Sequence, residues 1–337
     1  MNFLRKILFP LAFLYWLITF IRNWLYDKGI FKSYSFNIPI IAVGNLSVGG
    51  TGKTPQIEYL IRLLSDKYKV AVLSRGYKRT SEGFILADEN ATASSIGDEP
   101  FQFYSKFPNI QVAVDANRKN GIENLLQLPN KPDVILLDDA FQHRKVKAGF
   151  YILLTAYDDL FCDDYILPFG NLREPSSGKK RADMIIVTKC PNDLSEIAQQ
   201  KIREKLKVKQ QVFFTTIQYD DFVFGNDSQL LVSEIQSESK VLVAGIAKPK
   251  LFFDFLKNEK DETLVFPDHH HFSKQDCEQI LAKANGRKII TTEKDFVRLN
   301  GLLPKEQLFY LPIKSTFLNT NIDKTIEDYV GQSSRNS

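Results

Sequence analysis

An α/β fold, with a mostly parallel sheet in a larger domain and a second, smaller α/β domain, follows from three observations on this chain of 337 residues. Short β-branched apolar runs alternate with segments of helical period, the pattern of a parallel sheet covered on both faces. The run Ile38 to Val43 passes through Ser47-Val48-Gly49-Gly50-Thr51-Gly52-Lys53-Thr54-Pro55 into a helical pattern from Gln56, the strand, glycine-rich turn and helix of a phosphate-binding loop. The strand–helix alternation then restarts at Val241, beyond a break around Asp220-Asp221. The larger domain is therefore of P-loop NTPase type. The expected organisation is an N-terminal hydrophobic helix over 1–30, the P-loop domain over 31–212, a two-stranded β connector over 213–227, the smaller domain over 228–330 and a disordered tail over 331–337.

The N-terminal segment carries no charge from Ile7 to Ile21, with Arg5 and Lys6 before it and Arg22 and Lys28 after it. As a helix this core is about 22 Å long, against about 30 Å of bilayer hydrocarbon. No small-residue cleavage site follows, which argues against a removed signal peptide. Flanking Lys/Arg and the aromatic residues Tyr15, Trp16, Trp24 and Tyr26 suit a membrane interface. The expectation is a retained membrane anchor, spanning or lying on the bilayer.

The phosphate loop comes next. Gly49, Gly50, Thr51 and Gly52 let successive N–H groups curl around a phosphate, and the following helix N-terminus adds about half a positive charge. Lys53 reaches the outer phosphates and the Thr54 hydroxyl ligates magnesium. Pro55 suits the first helical turn. The generic pattern has glycine where Ser47 stands. The helix continues with Ile57, Leu60, Ile61 and Leu64 on one face.

A strand over Lys69 to Leu73 ends in Ser74-Arg75-Gly76-Tyr77-Lys78, and Arg75 and Lys78 fall where open α/β sheets bind ligands. Gly97-Asp98-Glu99-Pro100 opens a helix, and a short strand, Val112 to Asp115, precedes Asn117 and Arg118. The apolar run Val134 to Leu137 ends in Asp138-Asp139, the place for acids that hold magnesium in a P-loop protein. Strands over Phe150 to Leu154 and Met184 to Val187 bracket the loop Leu167-Pro168-Phe169-Gly170-Asn171-Leu172-Arg173-Glu174-Pro175, a Gly/Pro-punctuated segment whose Arg–Glu pair either enters the phosphate site or is ordinary surface. Later strands cover Val212 to Ile217, Phe222 to Phe224, Val241 to Ile246, Thr263 to Phe266, Lys288 to Thr292 and Leu308 to Leu311.

Pro267-Asp268-His269-His270-His271-Phe272 holds three of only four histidines. Adjacent side chains point apart, so the triplet is a poor metal site. A base or proton partner reaching across an interdomain cleft suits a group that titrates near neutral pH.

Composition narrows the function classes. The chain is 44% hydrophobic and 25% charged with a net charge of +4, a folded protein without the basic excess of a nucleic-acid binder. Cys162, Cys190 and Cys277 are widely spaced and read as reduced thiols of a compartment where ATP is available.

In order along the chain, Val43-Gly44-Asn45-Leu46, Gly49-Gly50-Thr51-Gly52-Lys53-Thr54-Pro55, Leu73-Ser74-Arg75-Gly76-Tyr77, Gly97-Asp98-Glu99-Pro100, Asp138-Asp139-Ala140-Phe141-Gln142-His143, Leu167 to Glu174, Val187-Thr188-Lys189, Asp268-His269 and Thr292-Glu293-Lys294-Asp295 resemble the tetraacyldisaccharide 4′-kinase family, the lipid A 4′-kinases. The resemblance spans Ile40 to Leu299, with Ala140 where the family has glycine. It implies transfer of the ATP γ-phosphate, with Mg2+, to the 4′-hydroxyl of a membrane-embedded acylated glucosamine disaccharide 1-phosphate at the cytoplasmic face of the inner membrane. It further implies Lys53 on phosphate, Thr54 with Asp138, Asp139 and Glu174 on the metal, and Asp98 as base paired with His269, His270 being the alternative. Arg118 and Arg173 stabilise charge in the transfer. The lipid disaccharide and ATP are the expected partners, with no nucleic acid and no obligate protein partner.

A membrane-docked P-loop switch gating a partner protein is the competing reading. A guanine-reading switch carries Asn/Thr-Lys-x-Asp, and here Thr188-Lys189 is followed by Cys190-Pro191. A dinucleotide oxidoreductase has no use for the Lys-Thr after the glycines.

Overall fold

The structure, a computed structural model, describes residues 8–268 and 270–335. Its centre is a nine-stranded sheet in the order β15-β8-β7-β6-β1-β5-β2-β4-β3. The strands are β1 Ile40–Asn45, β2 Val70–Ser74, β3 Ile85–Leu86, β4 Gln111–Val114, β5 Val134–Asp138, β6 Phe150–Ala156, β7 Met184–Thr188, β8 Gln211–Tyr219 and β15 Ile313–Phe317. The seven strands from β8 to β4 pair parallel, and only the outermost β15 and β3 pair antiparallel. The carboxyl ends of β1, β2, β5, β6 and β7 therefore open on one edge, where a ligand crevice forms.

Alternation along the central strands fixes the two faces of the sheet. Ile41 and Val43 of β1 pack with Val134 and Leu136 of β5 on one side, while Ile40 and Ala42 pack with Ile135 and Leu137 on the other. Helix α2, Lys53–Leu64, covers the first side with Ile57, Leu60, Ile61 and Leu64, all fully buried. Four further helices accompany these strands: α3 Ala93–Ile96, α4 Asp98–Lys106, α5 Arg118–Leu126 and α6 Glu196–Leu206.

A second sheet of six strands has the order β10-β9-β14-β13-β11-β12. It comprises β9 Phe222–Phe224, β10 Gln229–Leu231, β11 Lys240–Ala244, β12 Glu262–Val265, β13 Lys288–Thr292 and β14 Leu308–Leu311. Its strands from β12 to β14 are parallel, and β9 and β10 add antiparallel. Helices α7 Val232–Ser237, α8 Lys250–Leu256, α9 Lys274–Ala284 and α10 Glu293–Leu299 complete this unit.

The domain limits differ from those read in the sequence. Residues 213–227 are not a separate connector: β8 is a parallel strand of the large sheet beside β7, and β9 belongs to the small one. Nor does the second unit continue to 330, because β15 returns to pair with β8 and α11, Asp323–Arg335, packs on the large sheet. Ile322, Ile326 and Val330 are fully buried there among the residues under α2. The backbone N–H of Ile40 donates to the Tyr329 hydroxyl at 3.1 Å, which ties α11 to β1. That helix also runs into 331–337, where a disordered tail is expected.

The N-terminal helix α1, Phe9–Asp27, lies on the large domain by one side only. The Tyr15 hydroxyl donates to the Arg173 carbonyl at 2.9 Å, Arg22 to the Gln142 carbonyl at 2.6 Å, and Asn23 to Glu174 at 2.8 Å. Arg144 answers with bonds to the Asn23 carbonyl and the Asp27 carboxylate. The remaining surface of the helix leaves Phe13, Ile18 and Leu14 at 59%, 56% and 52% exposure. Among the described residues, no helix is long and apolar enough to cross a membrane.

Candidate active site

The loop from Leu46 to Gly52 links β1 to α2 at the open edge of the sheet, and α2 starts at Lys53. Gly52 takes a left-handed φ of +81°, which a residue with a Cβ adopts at a cost, and this turns the chain into the helix. The loop is held from two sides. Thr188, at the end of β7, donates its hydroxyl to the Thr51 carbonyl at 2.8 Å. On the other side, Val48 N–H donates to the Asn171 carbonyl and Arg173 N–H to the Leu46 carbonyl, each at 2.7 Å. Ser47 is thus strand-paired with Leu172 and buried, so glycine is not needed at that position.

The same pairing delivers the Arg173 side chain. Its NH1 donates to both oxygens of Asp139, at 3.0 and 2.9 Å. Lys53 Nζ lies 3.6 Å from Asp139 Oδ1. Asp139 itself has a φ of +47°, so the left-handed residue at the end of β5 is the aspartate and not Ala140. Burial acts upward on the Asp139 carboxyl, but the charges of Lys53 and Arg173 outweigh it and hold the group below the usual carboxylate range. Asp138 behaves in the opposite way. It is 9% exposed, accepts from the Ser74 hydroxyl at 3.1 Å, and is raised to about 6 by burial and by the charge of Asp139. Adjacent carboxylates with opposite shifts favour one firmly ionised acid and one that gains from an arriving cation.

Two expected site residues have other partners here. Arg118 is almost fully buried and its guanidinium donates to the carbonyls of Asp115 at 2.6 Å and Asp138 at 2.9 Å. It fastens the ends of β4 and β5 from behind, and burial lowers its pKa to about 10. Glu174, 1% exposed, accepts from Asn23, from Gln142 at 3.0 Å and from Arg181 at 2.7 Å. Three donors account for the burial of this carboxylate without a metal.

Asp98 is the first residue of α4. The loop before it packs on the loop after β2 through two glycines: a Cβ on Gly97 would come within 3.2 Å of the Gly76 Cα. This close approach brings the start of α4, and so Asp98, against the loop that follows β2. Both Nε, at 3.0 Å, and NH2 of Arg298 on α10 donate to its Oδ2, so the carboxylate stands where the two units meet. His269 lies outside the described residues. His270 is engaged within its own unit, bonding Asp276 at 3.0 Å and stacking on Phe266.

The arrangement fits a nucleotide triphosphate with a magnesium ion. Glycine backbone, a helix N-terminus and Lys53 converge at one point, and the buried Thr51 hydroxyl has no partner there among the described residues. Thr54, half-buried in the first turn of α2, adds a hydroxyl. No group of three or more His, Cys, Asp or Glu forms a metal cage among the described residues. Two carboxylates and a hydroxyl suit an ion that keeps water and phosphate oxygens as its other ligands. Sequence reasoning missed Ser74, Arg298 and the docking residues Arg22, Asn23 and Gln142. Polar residues interrupting the apolar run at Arg22-Asn23 were the available signal for the last group.

A family model described as tetraacyldisaccharide-1-P 4′-kinase matches residues 4–330. The tetraacyldisaccharide 4′-kinase of Flavobacterium johnsoniae is 68% identical over 334 residues, covering 98% of each chain. That of Flavobacterium psychrophilum is 65% identical over 342 residues and covers 100% of both. Bacteroides thetaiotaomicron has a tetraacyldisaccharide 4′-kinase 45% identical over 362 residues. Among solved structures, LpxK from Aquifex aeolicus in complex with ATP superimposes with a TM-score of 0.79 at 30% identity, covering 98% of this chain and 99% of that one.

Proposed function

The chain belongs to the tetraacyldisaccharide-1-phosphate 4′-kinase family, and we propose from that membership how its own residues carry the reaction. The protein is a kinase that uses ATP and Mg2+ to phosphorylate the 4′-hydroxyl of a tetraacylated glucosamine disaccharide 1-phosphate in lipid A biosynthesis. The observation supporting our assignment of roles is the convergence of Lys53, Arg173 and Asp139 beside the glycine loop, with Asp98 opening α4 directly after Gly97, which packs on Gly76 in the loop after β2.

Gly49, Gly50, Thr51 and Gly52 cradle the β- and γ-phosphates with backbone N–H groups, and Lys53 neutralises their charge. Thr54, Asp138 and Asp139 would hold magnesium, which supplies charge neutralisation at the phosphate oxygens. Arg173 and Lys53, now on Asp139, exchange part of that contact for phosphate. Asp98 accepts the proton of the 4′-hydroxyl as its oxygen bonds to the γ-phosphorus. The bond from that phosphorus to the β–γ bridging oxygen breaks, and ADP leaves. His269 is the expected partner of Asp98 in that proton transfer. Arg118 holds the backbone of Asp138, and Glu174 tethers α1, so neither is assigned to phosphate or metal. Label transfer from γ-labelled ATP tests this kinase activity: it requires both magnesium and the lipid. Hydrolysis without a labelled lipid would instead fit the gating switch.

α1 lies on the membrane surface in this account. Its docked side is fixed by Tyr15, Arg22 and Asn23, and its outward apolar side enters the headgroup boundary. The crevice then faces a lipid acceptor at the cytoplasmic face of the inner membrane. Phe13→Glu combined with Ile18→Glu is expected to lower binding to anionic lipid vesicles by 10-fold or more, as about 1.5–3 kcal/mol is at stake for each buried large side chain. Transfer to detergent-dispersed acceptor should change far less. Equal vesicle binding by wild type and variant in a flotation assay would remove the membrane role of this face.

A further inference from the structure

α4 and α10 belong to different units and meet side by side in opposite directions, with an ion pair at each end. At one end Asp98, the first residue of α4, takes Arg298 from the last turn of α10. At the other, Lys106, the last residue of α4, pairs with Glu293, the first residue of α10. Neither end is a loose surface contact. Arg298 is 5% exposed and is aimed by Asp295, itself fully buried, at 3.3 Å. Asp295 is anchored by the Gly245 N–H at 2.8 Å and the Thr292 hydroxyl at 2.7 Å. Lys106 also reaches Glu58 of α2 at 2.8 Å, and Glu58 is filled by Gln102 at 2.9 Å and Arg62 at 2.8 Å. Glu58 and Glu293 are 1% and 8% exposed.

None of Glu58, Lys106, Glu293 or Arg298 has a part in the chemistry assigned above, yet burying three charged side chains and most of a fourth at one interface is costly unless each is paired. We propose that this cluster is a positioning device for the transfer reaction: α10 grips α4 at both ends, so that the second unit sets where Asp98 stands. Arg298, bonded to the Asp98 carboxylate, and Glu293, acting on α4 through Lys106, are positioning residues. The inference rests on the reading of Asp98 as the proton acceptor. Proton transfer depends on atoms placed within hydrogen-bond reach, so a shift of α4 of about 1 Å is enough to slow the reaction by up to 10²-fold.

The cluster also responds to pH. Burial, then the charge of Glu58, raises the Glu293 carboxyl from 4.5 to about 7, against the opposing charge of Lys106. The other groups facing it are Tyr310 on β14, raised by burial and by the two glutamates, and the Ile313 N–H at 3.4 Å. Arg62 reaches the site through Glu58. A carboxyl whose folded pKa is raised binds a proton that the unfolded chain has released, so its contribution to stability falls as pH rises from 4.5 to about 7.

The test uses the full chain with ATP, magnesium and detergent-dispersed acceptor, well below the melting temperature of each variant. Lys106→Met and Arg298→Ala are expected to lower kcat on the order of 10-fold to 10²-fold, with KM for ATP within about twofold of wild type. Arg298→Lys recovers part of the Arg298 loss. Glu293→Gln, which keeps an oxygen for Lys106, flattens the fall of melting temperature between pH 5 and 7. Combined with Asp98→Asn, Lys106→Met should cost nothing further, because the cluster acts through that carboxylate. An equal loss in both backgrounds would overturn the proposal, as would unchanged kcat in Lys106→Met and Arg298→Ala. An active Asp98→Asn enzyme would count against the proton-acceptor reading instead. The grip itself would then be scored by amide exchange of α4, which rises in Lys106→Met if the grip exists and stays unchanged if it does not.

Discussion

Lys53→Met is expected to lower kcat/KM for phosphate transfer by about 10²–10³-fold while the protein stays folded. The lysine stands at the first helical residue of α2, 17% exposed, and its ammonium is 3.6 Å from Asp139. Its stem is not part of the core under the sheet, which Ile57, Leu60, Ile61 and Leu64 build further along the helix. Arg173 keeps both oxygens of Asp139, so the carboxylate is not left unpaired when the lysine is removed. The loss therefore falls on the phosphates. Negative charge on the γ-phosphoryl oxygens then develops without the lysine's positive charge, a contact worth more in a partly desolvated site than in bulk water. Steady-state kinetics beside a thermal melt separates the two effects: a large drop in kcat/KM with a melting temperature within a few degrees of wild type. A variant that transfers phosphate at more than one tenth of the wild-type rate would show that the phosphates are held by other groups.

The parts of this site that were legible in the sequence are those in which one short segment carries both the fold and the chemistry. The glycine loop is bounded by an apolar strand and a helix, and both bounding elements lie where the pattern places them. Asp138-Asp139 follows four apolar residues, and a buried parallel strand delivers both acids to the open edge. What was not legible depends on pairings between distant segments. Arg173-Glu174 reads as two charges entering the phosphate site; strand pairing of Leu172 with Ser47 brings Arg173 there, onto Asp139 beside Lys53, but turns Glu174 away to α1. The same holds for the domain limits. Asp220-Asp221 looks like the turn of a hairpin, whereas β8 and β9 pair in different sheets. Ile322, Ile326 and Val330 fall at helical spacing in an otherwise polar tail, a signal of the return to the first sheet that the polar surroundings masked. Ser47 shows the converse: a departure from the generic loop is explained once its strand partner is known.

Asp98→Asn tests whether the acceptor hydroxyl gives its proton to a carboxylate placed where the two units meet. The substitution keeps the shape and a hydrogen-bond acceptor for Arg298 but removes the charge that takes the proton. General-base contributions of this kind amount to about 10²–10⁴-fold. Asp98 opens α4 and is not part of the glycine loop that precedes α2, so ATP binding should change little. The deciding measurement is single-turnover transfer of labelled γ-phosphate to the tetraacylated disaccharide 1-phosphate, with ATP affinity measured on the same samples. The expected result is an ATP affinity within about twofold of wild type and a transfer rate lower by about 10²-fold or more. Transfer by Asp98→Asn at the wild-type rate, with ATP bound equally well, would contradict it and move the proton to another group.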